Sequence, residues 1–386
     1  MPVSVQSTDC TAQAAPPGPI DLRLPGRVLM GPGPSTADPR VLRAMAAPLI
    51  GHLDPAFLEL MNGVMAGLRC VFGTKNQLTL PMSGTGSAGM ETCLVNLIEP
   101  GERVLVCING LFGQRMADIA GRCGAEVMRL EAPWGEPIDP AAVRRALSQG
   151  KVDLVAIVHA ETSTGVLQPL EEIGQAVREH GALLVVDAVT SLGGVAVNVD
   201  ERLIDACYSG TQKCLSAPPG LAPITFGPRA EAKLARRKSK VPSWYLDLTM
   251  ISQYWGKERV YHHTAPISMM YALAEALNLV LEEGLAAREE RHRRVSALFC
   301  EGLEEIGLEP FVRPEYRAPM MVTVKVPEGV DEAAVRRELL HRFNIEIGGG
   351  LGELKGRIWR VGLMGASCTE SNALLLLEAL KKILRS

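Results

Sequence analysis

Between residues 78 and 230, short apolar runs alternate with segments whose apolar positions recur at helical spacing. The apolar runs are continuous rather than alternating, which predicts strands that are covered on both faces. The predicted strands are residues 77–82, 103–108, 152–158 and 183–186, and the predicted helices are residues 88–98, 140–149 and 170–180. This order is typical of an α/β fold with a mostly parallel central sheet flanked by helices.

The pattern changes after residue 280. Two long charged segments, 282–304 and 331–343, predict helices, and they flank a run at 320–326 that alternates like a half-buried strand. Residues 345–347 and 358–363 predict further strands, and residues 369–384 predict a last helix. We therefore expect an N-terminal arm (1–24), a large domain (25–281) and a smaller α+β C-terminal domain (282–386).

Composition narrows the classes of function. The chain has 386 residues, 47% of them hydrophobic, and a formal net charge of −3, which gives no electrostatic reason to expect nucleic acid or an anionic membrane as a partner. No apolar run approaches the roughly 18 residues of a membrane span. Nine dispersed cysteines without a CxxC pair indicate reduced thiols, so we expect a cytoplasmic protein.

Two residues suggest a specific chemistry. Asp187 ends an apolar strand, and Lys213 follows within the segment Tyr208-Ser209-Gly210-Thr211-Gln212-Lys213. Pyridoxal phosphate (PLP) chemistry needs a lysine amine that forms a Schiff base and a carboxylate that keeps the pyridine nitrogen protonated. Each residue alone also has an ordinary interpretation, as a strand-end cap or as a solvated surface charge.

Residues 83–89 (SGTGSAG) follow a strand, open a helix and match the GxGxxG pattern. A dinucleotide site would also need an acidic residue after the second strand, but residues 104–108 lead into Asn109 and Gly110. The same segment can bind a phosphate through backbone amides, the hydroxyls of Thr85 and Ser87 and the helix N-terminus. A glycine turn that serves only packing is the third interpretation.

Three further segments carry polar candidates. Gln212 can donate its amide N–H to the same phosphate. In Tyr261-His262-His263-Thr264, strand alternation would place the two histidines on opposite faces, and no third ligand is spaced usefully, so no zinc site is predicted. Tyr261 and Thr264 remain candidate phosphate donors.

Arg360 is a candidate for binding a carboxylate. Period-two alternation places it on the same face as Ile358 and Gly362, where the small neighbour leaves access to it. A guanidinium binds a carboxylate through two parallel hydrogen bonds, which suits an amino acid or a 2-oxo acid. A surface arginine is the alternative.

Taken together, these segments resemble the class V, fold-type I PLP-dependent aminotransferases, in the alanine–glyoxylate or serine–glyoxylate branch. The resemblance covers residues 28–386, with the motifs in family order. The matching segments are Gly31-Pro32-Gly33-Pro34-Ser35, residues 83–86, Glu161-Thr162-Ser163-Thr164-Gly165-Val166, residues 186–194, Ser209-Gly210-Thr211-Gln212-Lys213, Tyr261-His262-His263-Thr264 and Arg360-Val361-Gly362-Leu363.

The resemblance implies a role for each candidate. Lys213 would form the Schiff base, Asp187 would pair with the pyridinium, Phe112 would stack on the ring, and Thr162 would bind its 3-oxygen. The remaining cofactor ligands would be Thr85, Gly86, Ser87, Gln212 and, toward the neighbouring subunit, Tyr261 and Thr264. Arg360, with Thr162 and the backbone of Gly31 and Gly33, would bind the substrate carboxylate. Vertebrate relatives carry Trp at the position of Phe112 and His at that of Ser87.

The implied reaction is a ping-pong transfer of an amino group from a small amino acid, alanine or serine, to glyoxylate. The products would be pyruvate or hydroxypyruvate and glycine, and the active unit would be a homodimer with active sites at the subunit interface. Two alternatives stay open. One is a cysteine desulfurase or related lyase, which would need a catalytic thiol, and Cys368 is the candidate. The other is a non-enzymatic subunit with the PLP fold, which would need no catalytic residue.

Overall fold

The computed structural model describes residues 20–385. Residues 1–19 of the predicted N-terminal arm (1–24) lie outside the described residues. The strands are β1 (Val28–Leu29), β2 (Leu78–Ser83), β3 (Arg103–Ile108), β4 (Glu126–Glu131), β5 (Leu154–Val158), β6 (Ala160–Glu161), β7 (Val166–Leu167), β8 (Leu183–Asp187), β9 (Ala206–Tyr208), β10 (Leu221–Phe226), β11 (Met321–Lys325), β12 (Ile345–Glu346), β13 (Gly348–Gly349) and β14 (Ile358–Gly362). The helices are α1 (Pro39–Met45), α2 (Pro55–Phe72), α3 (Gly86–Leu97), α4 (Leu111–Arg122), α5 (Pro140–Ser148), α6 (Glu171–His180), α7 (Pro228–Ala235), α8 (Leu248–Trp255), α9 (Ile267–Glu283), α10 (Leu285–Glu305), α11 (Glu332–Phe343) and α12 (Glu370–Leu384).

A seven-stranded sheet forms the centre of the larger part of the molecule, in the order β2-β10-β9-β8-β5-β3-β4. Neighbouring strands from β9 to β4 pair in parallel, whereas β10 is antiparallel to both β2 and β9. This confirms the predicted α/β fold with a mostly parallel sheet. The reversed strand β10 was not predicted, because strand direction depends on the path of the connecting chain rather than on local pattern.

Local sequence explains why these elements form. Strands β5 and β8 are buried at every position, as their continuous apolar runs predict. Helix α5 begins after Asp139, whose side chain accepts a hydrogen bond from the Ala141 amide, and α6 ends at Gly181 with φ 86°. Because these strands are parallel, their carboxyl ends meet at one edge of the sheet, where a ligand site is expected.

The C-terminal part has a separate core. Strands β11, β14 and β13 form an antiparallel sheet, and the buried side chains of Val322 and Trp359 pack with those of α10 and α12. The start of the described chain joins this part, since β1 pairs with β12 and Met30 belongs to the same core. This path carries residues 31–33 toward the edge of the large sheet. The domain boundaries at 24 and 281 stay a prediction.

Two local predictions were wrong. The helix predicted at 282–304 begins at Leu285, because Gly284 has φ 82° and separates it from α9, a helix that was not predicted. Residues 261–264 form no strand, so the alternation argument for the two histidines fails. The Nδ1 atoms of His262 and His263 lie 2.8 Å apart. Within residues 20–385, no group of three or more histidine, cysteine or acidic side chains is placed to hold a metal ion.

The described helices and cysteines bear on the environment of the protein. None of the helices within residues 20–385 combines the length and the apolar character that crossing a bilayer requires. The cysteines of the same residues are free thiols, and all of them except Cys70 are buried.

Candidate active site

A cavity of about 200 Å³ opens at the carboxyl edge of the large sheet, beyond β5 and β8. Residues from several distant segments of the chain line it. Eight of them are residues that the sequence singled out: Thr85, Gly86, Ser87, Phe112, Thr162, Asp187, Gln212 and Lys213. The other lining residues are Met90, Arg115, Val158, Ala160 and Val189.

Lys213 lies in the loop after β9, which hydrogen bonds hold in place. Ser35 donates its backbone N–H to the Gln212 carbonyl (2.8 Å) and its hydroxyl to the Lys213 carbonyl (2.7 Å). The Lys213 Nζ atom donates to the Pro32 carbonyl. A Cβ atom on Gly33, which has φ 110°, would lie 2.6 Å from Nζ, so this position requires glycine. Residues 32 and 33 therefore form one wall around the amine.

The protonation of Lys213 responds to this environment. Burial, and next the positive charge of Arg360, lower the pKa of the amine to about 8, against the weaker effects of Cys214 and Asp187. Burial disfavours the charged form of a lysine because the ammonium loses its hydration. The amine is thus easier to deprotonate near neutral pH than a surface lysine, and a neutral amine is the form that acts as nucleophile or base.

Asp187 ends β8 with both carboxylate oxygens hydrogen-bonded. The Val189 amide donates to Oδ1 and the Tyr208 hydroxyl donates to Oδ2, each at 2.8 Å. Burial raises the pKa of Asp187 to about 6, while these two hydrogen bonds and the charges of Lys213 and Arg115 oppose that rise. At neutral pH the side chain is therefore mainly a carboxylate that faces the cavity.

The opposite end of the cavity suits an anion. Helix α3 starts there, and its N-cap residue Thr85 makes no side-chain hydrogen bond to the first helical turn, which leaves amide N–H groups for a ligand. Among the described residues the buried Oε1 atom of Gln212 has no hydrogen-bond partner, so no hydrogen bond of this atom prevents the amide from turning its Nε2 donor toward a bound anion. Arg115 donates to the Ser87 hydroxyl (3.2 Å) and adds positive charge. These features fit the phosphate of PLP, as Asp187 fits its pyridine nitrogen.

Arg360 borders the cavity from the C-terminal part. Its neighbours Trp359 and Val361 face the second core, and Arg360 points the other way, where Nε donates to the Gly349 carbonyl (2.6 Å) and Nη1 to the Thr162 carbonyl (3.4 Å). Burial lowers its pKa to about 10, so the guanidinium stays charged at neutral pH. Within residues 20–385 it has no salt bridge. A buried cation without a carboxylate partner is a favourable site for an anionic substrate.

The start of α4 is held by a buried carboxylate. Glu161 Oε2 accepts hydrogen bonds from the Phe112 and Gly113 amides (3.2 and 3.4 Å), and its Oε1 accepts from the Ser163 hydroxyl (2.6 Å). The Ser163 hydroxyl oxygen in turn accepts from the Leu111 amide (2.9 Å). Burial raises the pKa of Glu161 above its ordinary value. These contacts fix the turn that presents Phe112 to the cavity.

Gly31, Tyr261 and Thr264 do not line the cavity. Gly31 lies beside β14, where the Gly362 amide donates to the preceding Met30 carbonyl (2.8 Å). Tyr261 is 56% exposed, and Thr264 is also exposed. One chain alone therefore does not bring Tyr261 and Thr264 to the other cofactor residues.

Comparison with known proteins identifies the family. The family model for Aminotransferase class-V matches residues 29–353. The chain is a class-V aminotransferase. Its relatives include the (S)-ureidoglycine–glyoxylate transaminase of Bacillus subtilis (strain 168), 44% identical over 94% of this chain and 92% of that protein. The alanine–glyoxylate aminotransferase of Rattus norvegicus is 44% identical over 94% of this chain and 89% of that protein.

Solved structures agree with this assignment. The crystal structure of an alanine–glyoxylate aminotransferase from Nostoc sp. superposes with a TM-score of 0.94 at 49% identity and covers 99% of this chain and 100% of that one. The aminotransferase thus has the fold-type I architecture, and members of this family depend on PLP. The resemblance stated from the sequence motifs is confirmed.

Sequence reasoning missed three residues at the site of this aminotransferase. Arg115 is three positions after Phe112 on α4, and this spacing could have placed both on one helix face. Its guanidinium lies 4.8 Å from the centre of the Phe112 ring. The contacts of Glu161 and Tyr208 depend on how distant segments pair, for which the local sequence gives no signal.

Proposed function

We propose that this aminotransferase transfers an amino group from a small amino acid to glyoxylate, giving a 2-oxo acid and glycine in a ping-pong cycle. One observation carries the proposal. The Lys213 amine and the Asp187 carboxylate line one cavity, and the buried guanidinium of Arg360, which has no salt bridge within residues 20–385, borders it through Thr162. An amine, a pyridine partner and a carboxylate receptor are the groups that transamination of an α-amino acid requires.

The cofactor residues divide between its two ends. We assign the phosphate to the amides at the start of α3, the hydroxyls of Thr85 and Ser87 and the Gln212 amide, the ring face to Phe112, and the 3-oxygen to the Thr162 hydroxyl. When bound, PLP supplies an aldehyde that captures the substrate amine and a ring that accepts charge from the substrate Cα.

The protein's own residues would carry out the other steps. Arg360 binds the substrate carboxylate and so orients the Cα–H bond. The Lys213 amine, whose pKa is near 8, takes the proton from Cα and later returns it. Asp187 keeps a proton on the pyridine nitrogen through its negative charge. Burial of these groups excludes water from the proton transfers.

The amino donor is the least constrained part of the proposal. The names of the relatives include alanine and (S)-ureidoglycine as substrates. We propose alanine as the donor, with serine and (S)-ureidoglycine as the alternatives. Alanine and serine differ by one hydroxyl, which an apolar pocket rejects only weakly.

We further propose that the enzyme acts as a cytoplasmic homodimer, with Tyr261 and Thr264 reaching the partner's cofactor phosphate. Both residues are exposed, and large exposed apolar side chains occur in the same and nearby segments. A concentration of exposed apolar side chains suggests a surface that another chain covers. These exposed side chains are Leu49, Leu53, Trp244, Tyr245 and Val260. Buried free thiols are consistent with a reducing compartment.

The structure weighs against the desulfurase alternative. A catalytic thiol must be accessible and readily ionised. Cys368 is fully buried, and burial raises its pKa to about 11. A non-enzymatic subunit would not need the buried guanidinium charge of Arg360, which has no salt bridge among the described residues.

A panel of donors and acceptors tests the proposal. The PLP-loaded enzyme is incubated with alanine, serine or (S)-ureidoglycine and with glyoxylate or pyruvate, and the glycine and 2-oxo acid formed are quantified by chromatography. We expect glycine from alanine and glyoxylate at the highest kcat/KM. Sulfide released from cysteine in a parallel incubation would favour the desulfurase alternative, and no turnover of any pair would contradict an enzymatic role.

A further inference from the structure

Asp187 is fully buried, yet no salt bridge stabilises its charge among the described residues. The charged and titratable groups around it come from several elements. The positive charges of Lys213 and Arg115 lower the pKa of Asp187 less than its two hydrogen bonds do. Within residues 20–385, the charged and titratable side chains that interact with it are Cys93 on α3, Arg115 on α4, Glu161 on β6, Cys207 and Tyr208 on β9, and Lys213. Glu161 is acidic, and it opposes ionisation of Asp187.

The Tyr208 hydroxyl is the one side-chain donor to Asp187 that the described residues provide. Strand pairing places Tyr208 directly opposite Asp187 in β8 and β9, and the O–H···Oδ2 distance between heavy atoms is 2.8 Å. Tyr208 is fully buried, with its ring in the core of the large sheet. The hydroxyl therefore has a fixed direction, and the ring cannot swing away without disrupting the core.

Tyr208 is also a donor at every pH of interest. Burial, and next the negative charge of Asp187, raise its pKa well above the ordinary value for tyrosine. A hydroxyl that does not ionise always presents its proton to the carboxylate. Hydrogen bonding to the charged form of an acid favours that form and counteracts the effect of burial.

Resting on the role proposed above for Asp187, we propose that Tyr208 is a positioning residue for the reaction. Its hydroxyl holds Asp187 as an oriented carboxylate toward the pyridine nitrogen of the cofactor. It thereby sets the pH below which Asp187 becomes protonated and the affinity of this enzyme for the protonated pyridine falls. Tyr208 touches neither cofactor nor substrate in this arrangement and acts through Asp187.

The test is the pH dependence of PLP binding, measured by equilibrium dialysis of the cofactor-free enzyme between pH 4.5 and 8. Tyr208→Phe keeps the ring and removes only the hydroxyl. A hydrogen bond to a charged group corresponds to a roughly tenfold to hundredfold change in the ionisation equilibrium. We therefore expect the pH midpoint at which affinity falls to move up by about one to two pH units. Tyr271→Phe is the matched control, because it removes a hydroxyl that donates to the Pro48 carbonyl (3.2 Å), away from the cavity.

Two further proteins separate the possible failures. In an Asp187→Asn background the midpoint should be lost, and Tyr208→Phe should then change the binding curve little. If Asp187→Asn removes the midpoint but Tyr208→Phe leaves it in place, the inference about Tyr208 is wrong and the role of Asp187 stands. If neither change affects binding at any pH, the proposed role of Asp187 fails as well.

A third protein guards against misfolding of the phenylalanine variant. Site-specific 3-fluorotyrosine in place of Tyr208 keeps the ring and the hydroxyl but makes the hydroxyl a stronger donor. The midpoint should then move down, opposite to Tyr208→Phe. An unchanged or raised midpoint in a folded fluorotyrosine protein would overturn the proposal. Circular dichroism and the melting temperature establish that each protein is folded.

Discussion

The side chain of Lys213 illustrates how the surrounding protein adjusts the pKa of a candidate catalytic group. Burial removes hydration from the ammonium, and Arg360 places a second positive charge nearby, so the pKa falls to about 8. The same burial leaves Nζ close to the Pro32 carbonyl and the Gly33 backbone. Burial of Lys213 thus contributes both to the position of its amine and to its lowered pKa.

Lys213→Ala should abolish covalent retention of PLP and lower the transamination rate by about 10²–10⁴-fold or more, because both the imine-forming amine and the base are lost. Mass spectrometry after borohydride reduction should show the added cofactor mass on the wild type and not on the variant. Lys240→Ala, which changes an exposed lysine, serves as the control. Covalent cofactor on the Lys213→Ala protein would refute the assignment.

Arg360→Lys should impair the reaction with alanine although it keeps the positive charge. An ammonium cannot reproduce the two-pronged hydrogen bonding of a guanidinium, and loss of such bonds corresponds to a roughly 10- to 100-fold fall in kcat/KM. PLP affinity should stay near the wild-type value. Arg357→Lys, on an exposed arginine three residues earlier, is the matched control. Equal kcat/KM for both variants would remove Arg360 from the substrate site.

The raised pKa of Asp187 should make the stability of the folded protein depend on pH. Its pKa in the folded protein is about 6, above the ordinary value of 3.8, so the folded state holds the proton more tightly and stability falls as pH rises from about 4 to 6. Ionising this buried acid costs about 3 kcal/mol by pH 7. Cofactor-free Asp187→Asn enzyme should therefore gain melting temperature relative to the wild type between pH 4 and pH 7. A difference that does not change with pH would contradict the assigned pKa.

At the scale of elements, patterns that depend on local sequence were predicted well. The strand at 103–108 matches the structure, and the cap Asp139 and the terminator Gly181 act where the sequence placed them. Features that depend on pairing were missed, including β9, the reversed β10 and the contact between Tyr208 and Asp187. The cavity residues that belong to recognisable motifs were predicted. Glu161 was not assigned a role, because the Phe112 and Gly113 amides that donate to it are about 50 residues away in the chain.

The hydrogen bonds that Glu161 accepts from the start of α4 should stabilise the first turn of this helix. Glu161→Gln removes the charge and turns an amide donor toward backbone N–H groups, so the first turn of α4 should loosen and Phe112 should lose its fixed position. We expect a lower melting temperature and weaker PLP binding. Asp118→Asn, on the same helix, removes only an exposed pairing with Arg122 and should change neither by much. If the two variants behave alike, Glu161 does not hold this helix.

At the scale of the whole molecule, the single chain lacks two of its predicted cofactor ligands at the cavity. Tyr261 is more than half exposed, and His263 holds the same segment next to the end of β2 through its Nε2 contact with the Ser83 hydroxyl (2.8 Å). A two-fold symmetric dimer resolves this if each chain supplies Tyr261 to the other chain's site. Each active site then consists of residues from both chains.

This arrangement predicts complementation between two impaired enzymes. When Lys213→Ala and Tyr261→Ala chains are unfolded together and refolded, half of the dimers are mixed, and in each mixed dimer one site combines an intact Lys213 with the partner's intact Tyr261. About one quarter of the sites should thus recover wild-type activity, above the average of the two parent enzymes refolded separately. Mixing Lys213→Ala with Asp187→Asn is the control, because both residues belong to the same chain's site and no site becomes intact. Activity no higher than the parental average for the first pair, or a monomer in sedimentation at assay concentration, would show that Tyr261 does not act across a subunit interface.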